Sequence, residues 1–157
     1  MWEKSNNDVS KVRDKAIKYY RSIKRIKCPA FSKEIRVSPE WFSHIERKDA
    51  KHRRSNEEIY MRYLCFLSLE KILCNMSLYQ EYKAWLEDIE LERWWQFVKE
   101  QKAVQYYAFV GIVQNWDDRH RIRVVLREVY GREKIDFVSV MPARKMKWYT
   151  NFFWPEK

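Results

Sequence analysis

The sequence predicts an α+β domain, with N-terminal helices packed on a three- to four-stranded twisted antiparallel sheet. Three observations carry this. Apolar side chains recur at spacings of three and four through the first part of the chain, then at a spacing of two after Lys102. A length of 157 residues suits one domain with one core. The strand-like segments follow one another near the C-terminus, an order that builds a meander rather than alternating β-α-β units.

Residues 8–25 place Val9, Val12, Ala16, Tyr19 or Tyr20, and Ile23 on one face of a helix whose other face is basic. Pro29 stops that helix, and Glu34 to Ser38 reads as a short strand. Ser38 can then cap, and Pro39 open, a helical turn that points Trp41 and Ile45 inward and leaves His44 and Lys48 on a more open face. Ser55-Asn56-Glu57-Glu58 is a capping box, so the central core helix starts there, with Ile59, Arg62 or Tyr63, Phe66, Leu69 or Glu70, Leu73 and Met76 as its stripe. Residues 78–102 are expected to stay helical, with Leu86, Ile89, Trp94, Phe97 and Val98 as apolar points. Three strands follow, Val104 to Gln114, Arg121 to Tyr130 and Lys134 to Met141, joined by a loop from Asn115 to His120 and a turn at Gly131. The short first strand is free to join the meander as a fourth. The tail, 142–157, carries Arg144, Lys145 and Lys147 and then five aromatic residues, which are either core or a docking surface.

Thirty-two Lys and Arg against twenty-two Asp and Glu leave a formal charge of +10, which argues for an anionic partner, nucleic acid above all. The charge is uneven. Lys11 to Lys27 holds eight basic residues and one acid, whereas Glu81 to Glu92 holds five acids and one lysine. An acidic stretch is repelled by phosphates, so it is expected to lie away from any nucleic-acid site. Cys28, Cys65 and Cys74 fit no metal-ligand or CxxC spacing and read as reduced structural thiols. No apolar signal core or eighteen-residue apolar run is present, which predicts a cytoplasmic protein without a membrane span, or an effector secreted by a specialised apparatus.

The chemistry concentrates in residues 35–55, where His44 and His52 stand among the five Lys and Arg side chains of the 44–54 run. Imidazole can take and give a proton near neutral pH, and a cationic setting attracts an oligo-anion. Eight residues of continuous helix would part the two rings by about 12 Å, and no third ligand is evident, so neither a metal nor another cofactor is expected. In the second meander strand Arg121, Arg123 and Arg127 share a face opposite Ile122, Val124 and Leu126, which makes either a phosphate clamp or a solvated strand face. Arg119 and His120 in the preceding loop extend that cluster. Ser139 is expected on the side of Ile135, Phe137 and Met141, as a core hydroxyl or as a donor to a scissile phosphate.

These residue types suit RNA cleavage: a base takes the ribose 2′-OH proton, an acid protonates the leaving 5′-oxygen, and guanidinium steadies the charge on phosphorus. His44 is the better acid-base candidate, while His52, beside Arg53 and Arg54, suits phosphate contact. Arg121, Arg127 and Lys145 complete the expected RNA-contacting set. The same basic and aromatic side chains would equally serve a non-catalytic nucleic-acid-binding or regulatory protein.

Ile35-Arg36-Val37-Ser38, Trp41, His44-Ile45, His52-Arg53-Arg54-Ser55, Arg123-Val124-Val125 and Phe137-Val138-Ser139-Val140 together resemble phage-associated members of the barnase, EndoU, colicin-tRNase and RelE-like nuclease superfamily. The resemblance spans about Phe31 to Met141. It implies a metal-independent endoribonuclease, often a toxin, acting on tRNA, mRNA or ribosome-associated RNA and partnered by a neutralising antitoxin or immunity protein. It further implies His44 in acid-base catalysis, His52 and Arg53 in substrate contact, Arg123 as phosphate stabiliser and Ser139 as a site hydroxyl. The stretch 78–102 and the aromatic tail depart from the pattern.

Overall fold

The computed structural model describes residues 5–23, 25–115 and 118–143, with 114, 115 and 118–120 as backbone alone. Lys145, with the rest of the basic and aromatic tail, lies outside the described residues. The fold is α+β. Helix α1 (Asn6–Ser22) leads through β1 (Ile26–Lys27) and β2 (Glu34–Arg36) to the helices α2 (Trp41–Glu46), α3 (Asn56–Phe66) and α4 (Leu69–Leu73). Four strands follow: β3 (Glu81–Arg93), β4 (Gln96–Asn115), β5 (Asp118–Val129) and β6 (Ile135–Pro142).

Among the described residues these strands form one six-stranded sheet in the order β1-β2-β6-β5-β4-β3. Its neighbours are antiparallel except β2 and β6, which run parallel through Ile35–Ile135 and Arg36–Asp136. The early strand does join the meander. The sheet is thus mixed and wider than the expected three or four antiparallel strands, because β1 and the whole of β3 add to it.

Residues 78–102 are the main correction, since they form a hairpin rather than a helix. Ile89 and Leu91 alternate with Asp88, Glu90 and Glu92, a period of two. Apolar residues on both strand faces imitate helical spacing at Leu86 and Ile89, and again at Trp94, Phe97 and Val98. The strand β5 also begins earlier than expected, so Arg119 and His120 belong to a strand instead of a loop.

The central helix starts where its capping box predicts, with Ser55 accepting from the Glu58 N–H and Glu58 reaching back to Ser55. It breaks at Leu67 and Ser68 into α3 and α4, and Ile59, Tyr63, Phe66, Leu69 and Leu73 are buried. These residues join Trp41, Ile45, Val9, Val12 and Ala16 against the inner sheet face of Phe109, Ile122, Val124, Leu126, Ile135 and Phe137. A Cβ on Gly111 would sit 3.0 Å from the Ile72 side chain, so a glycine there lets α4 settle close to β4. The opposite sheet face carries a smaller cluster of Ile89, Val104, Tyr106, Ala108, Val125 and Val129.

The register of β6 against β5 shifts at one point: Ser139 faces Val125, but Phe137 faces Leu126, which leaves Val138 without a partner. Such a bulge changes strand parity. Ser139 therefore shares the outer face with Arg123 and Arg127, whereas Ile135 and Phe137 point to the helices. The expected grouping of Ser139 with Ile135 and Phe137 fails for this reason.

Beyond β5 the β3–β4 hairpin continues through the pairs from Leu86–Ala103 to Arg93–Gln96. Eight residue rises make an arm of roughly 27 Å. Trp94 and Trp95 turn it, and both are more than four-fifths exposed. Trp94 has φ 60°, the positive value that two-residue hairpin turns assign to glycine or asparagine. A bulky residue there is strained by about 1–3 kcal/mol. Trp94→Gly should therefore slow hydrogen exchange of the arm amides; exchange unchanged or faster would mean that the turn stores no strain.

Candidate functional site

A cleft of about 1200 Å³ opens between α2 with the segment after it and the outer face of β5 and β6. Its floor comes from Val125, Val138, Ser139 and Met141, and its far wall from Ser38 to Trp41 with His44, Arg47 and Lys48. The sequence builds that wall simply. Trp41 and Ile45, four apart, are both buried, so the short α2 is anchored by its inner face and shows His44 to solvent. The Trp41 ring stacks on Phe66 at a centroid distance of 3.7 Å and meets Phe137 edge-on.

After α2 the chain folds back on itself. The Lys48 N–H donates to the His52 carbonyl, Arg54 N–H donates to the Glu46 carbonyl, and Arg47 pairs with Arg53. Asp49 closes the tip by accepting from the N–H groups of Lys51 and His52, and the His52 Nδ1 lies 2.9 Å from its carboxylate. The Lys51 N–H and then the His52 ring hold the Asp49 carboxyl below its ordinary 3.8. His52 is thereby tied to the loop tip, largely exposed and outside the cleft.

Of the sequence-predicted residues, His44, Arg123, Arg127 and Ser139 line this one cleft. His52, Arg53 and Arg121 do not: Arg53 turns toward Asn56, at 3.2 Å, and Arg121 is an exposed residue of β5. Sequence reasoning missed Arg36, Arg47, Arg54, Arg62 and Arg132 as cleft residues. Arg62 had one signal, a guanidinium at an apolar-stripe position of α3. Seven arginines and a lysine line the cleft against two carboxylates, Glu40 and Asp136.

Several of these cations are already engaged. The Arg123 fork meets Glu81 at 2.7 and 3.3 Å, and both side chains are nearly buried. Arg127 Nη2 donates to Glu87 at 2.8 Å, while Tyr106 and Trp85 donate to the same carboxylate. Burial alone would raise Glu87, but the hydrogen bonds from Tyr106 and Arg127 outweigh it and hold the group below its ordinary 4.5. The Tyr106 hydroxyl is pushed up to about 12, first by burial and then by donating to Glu87. Asp136 is shared by Arg36 and Arg132.

These contacts correct the expectation that the acidic stretch lies far from the basic cluster. Strand β3 stands two strands from β5, and Glu81 and Glu87 emerge on the same face as Arg123 and Arg127. Long side chains reach across the intervening small Ala108 and the ring of Tyr106.

Arg54 and Arg62 have no carboxylate within ion-pair distance among the described residues. Glu46 nearby is taken by the Tyr63 hydroxyl at 2.8 Å and by Arg13 at 3.4 Å. Burial and then the neighbouring Arg54 lower the Arg62 guanidinium from its ordinary value, and Glu58 offsets this only in part. Three buried N–H donors lack an acceptor among the described residues: Trp41 Nε1, Arg54 Nε and Arg127 Nε. All belong to side chains lining this cleft. Each such group costs about 1–3 kcal/mol when left dry and unpaired.

Comparison with protein-family models, with curated proteins and with solved structures found no match. Among the described residues no three His, Cys, Asp or Glu side chains come together in a metal-binding group, and no helix is long and apolar enough to cross a membrane. Cys28, Cys65 and Cys74 are unbridged, the first two buried.

Glu81→Ala should cost about 3–5 kcal/mol in urea unfolding, because a nearly buried guanidinium loses its carboxylate. Glu81→Met with Arg123→Met should recover most of that loss; a single-variant cost below about 1 kcal/mol would mean the Arg123 fork is free for other work. Glu87 sits below 4.5 in the folded state, so its stabilising contribution is complete above 4.5 and fades as pH falls through its folded value. Arg127→Met should flatten the acid limb of stability measured by circular dichroism below pH 4.5, and an unchanged limb would contradict the pairing.

Proposed function

We propose that this chain is a metal-independent endoribonuclease, toxin-like in kind, that cleaves RNA by attack of the ribose 2′-OH on its own phosphate. The reading is supported above all by one cleft that gathers His44 from α2, Ser139 from the β6 bulge and a surplus of guanidinium groups. In this scheme His44 takes the 2′-OH proton as the O2′–P bond forms and returns it to the 5′-oxygen as the P–O5′ bond breaks, the Ser139 hydroxyl donates to a non-bridging phosphate oxygen, and the cleft cations offset the charge that grows on the phosphorane. Arg123 and Arg127, held by Glu81 and Glu87, act mainly by fixing the floor; Arg53, His52 and Arg121 contact flanking RNA at most. The likeness of residues 31–141 to the barnase, EndoU, colicin-tRNase and RelE-like nucleases supports the same chemistry, with RNA as partner and a neutralising protein as companion.

A non-catalytic RNA-binding protein is the competing reading, favoured by the engagement of Arg123 and Arg127 with carboxylates. Incubation of the purified, folded chain with total RNA in EDTA separates the two. Cleavage that leaves 2′,3′-cyclic phosphate ends, with DNA left intact for want of a 2′-OH, is the expected result. His44→Ala should lower the rate about 10²–10⁴-fold while RNA affinity changes less than about threefold. Intact RNA from pH 5 to 8, or equal losses of rate and affinity in His44→Ala, would favour the binding protein.

A further inference from the structure

We propose that Arg54 and Arg62, with the indole N–H of Trp41, form a subsite for a backbone phosphate of a polynucleotide. The proposal rests on the reading of the cleft as the place where RNA lies, but not on cleavage. Three independent features of the cleft converge on it.

The first is an excess of positive charge. Arg54 follows the folded loop and Arg62 projects from α3; both line the same cleft, and the Arg54 charge helps to lower the Arg62 guanidinium from its ordinary value. Like charges are kept together in a folded protein at a cost unless an anion joins them. Of the nearby acids, Glu46 is taken by Tyr63 and Arg13, Glu81 by Arg123, Glu87 by Arg127 and Asp136 by Arg36 and Arg132; Glu58, one turn before Arg62 on α3, caps Ser55 and offsets the Arg62 charge only in part, and Glu40 also lines the cleft. Among the described residues no carboxylate stands at ion-pair distance from either Arg54 or Arg62.

The second is hydrogen bonding. Trp41 is 3% exposed, is held by its stack on Phe66, and keeps a buried N–H with no acceptor among the described residues; the Nε–H of the half-buried Arg54 likewise has none among them. Both line the cleft, and both can only donate. A ligand that accepts several hydrogen bonds and carries negative charge answers each of these at once, and a phosphate oxygen does both. The third is shape. The cleft is an open groove of about 1200 Å³ that holds more than an isolated anion, and it runs past His44 and Ser139. A chain of phosphates is therefore the occupant that uses its length.

Indole ¹⁵N–¹H NMR tests this on the full chain, with the Trp41 signal assigned by its loss in Trp41→Phe. Titration with a 2′-deoxy trinucleotide, which lacks the attacking hydroxyl, should shift the Trp41 indole signal saturably. Inorganic phosphate should shift the same signal at least tenfold more weakly. Arg54→Met and Arg62→Met, which keep most of the aliphatic stem, should each weaken the trinucleotide titration tenfold or more while the remaining indole signals keep their folded dispersion. Arg21→Gln, on the exposed face of α1, should leave it unchanged. A Trp41 signal that does not move, that moves equally in chloride of matched ionic strength, or that titrates normally in both Arg variants would overturn the subsite. Inorganic phosphate binding as tightly as the trinucleotide would overturn the polynucleotide assignment. If RNA is never cleaved but the Trp41 shift and its loss in the Arg variants are found, the ribonuclease reading falls and the subsite stands. If RNA is cleaved and Trp41 is silent, the subsite falls alone.

Discussion

The two ion pairs that reach across β4, Arg123 with Glu81 and Arg127 with Glu87, govern how the rest of this protein is arranged. A strand bearing guanidinium groups on its outer face would be a poor neighbour for a packed cluster of Val125, Val129 and Tyr106 unless those charges were met locally. The acidic strand β3 meets them. Its cost is that two guanidinium groups facing the cleft are already committed, so the net positive character passes to Arg47, Lys48, Arg54 and Arg62 on the helical side. The arm and the cleft are in this sense one electrostatic unit, in which acids that look misplaced along the sequence settle the charges of the floor.

The bulge at Val138 is the second constraint. Without it, Val138 would face Val125 and continuous alternation would send Ser139 to the helical core with Phe137, leaving the cleft floor without a hydroxyl. With it, Phe137 still packs against Trp41 and Phe66 while Ser139 stands on the outer face two residues later. Bulges are frequent where a strand must re-aim a side chain near a binding site. The end of β2 at Arg36 works alongside: the chain leaves the sheet there and turns into α2, so that His44 overlooks the uncovered part of β6.

The elements legible in the sequence were those with undiluted local signals. The capping box at Ser55, the pair of Trp41 and Ile45, and the alternation of Ile122, Val124 and Leu126 each act within a few residues and behave as read. The β3–β4 hairpin was not legible because its Glu, Lys, Gln and Leu content favours helix, and its turn, Trp94-Trp95, lacks the glycine or asparagine that announces a hairpin. Strand parity puts Arg121, Arg123 and Arg127 on one face, and of these Arg123 and Arg127 reach the cleft with His44. Ser139 reaches it through a bulge that parity alone cannot foresee. The Arg54 and Arg62 pair was hidden because the two residues belong to different elements, and only the fold of the 47–54 segment against α3 makes them neighbours.

If the chain acts on RNA as proposed, the RNA lies in the cleft between α2 and the outer face of β5 and β6. The most direct measurement is a crystal structure of the chain with a short oligoribonucleotide methylated at every 2′-oxygen, which can bind and cannot be cut by 2′-OH attack. The expected result is a backbone phosphate within hydrogen-bonding distance of His44, with the chain of phosphates continuing toward Arg54 and Arg62. An oligonucleotide bound along Lys11, Lys15, Lys18 and Arg21 on the exposed face of α1, with the cleft empty, would contradict it.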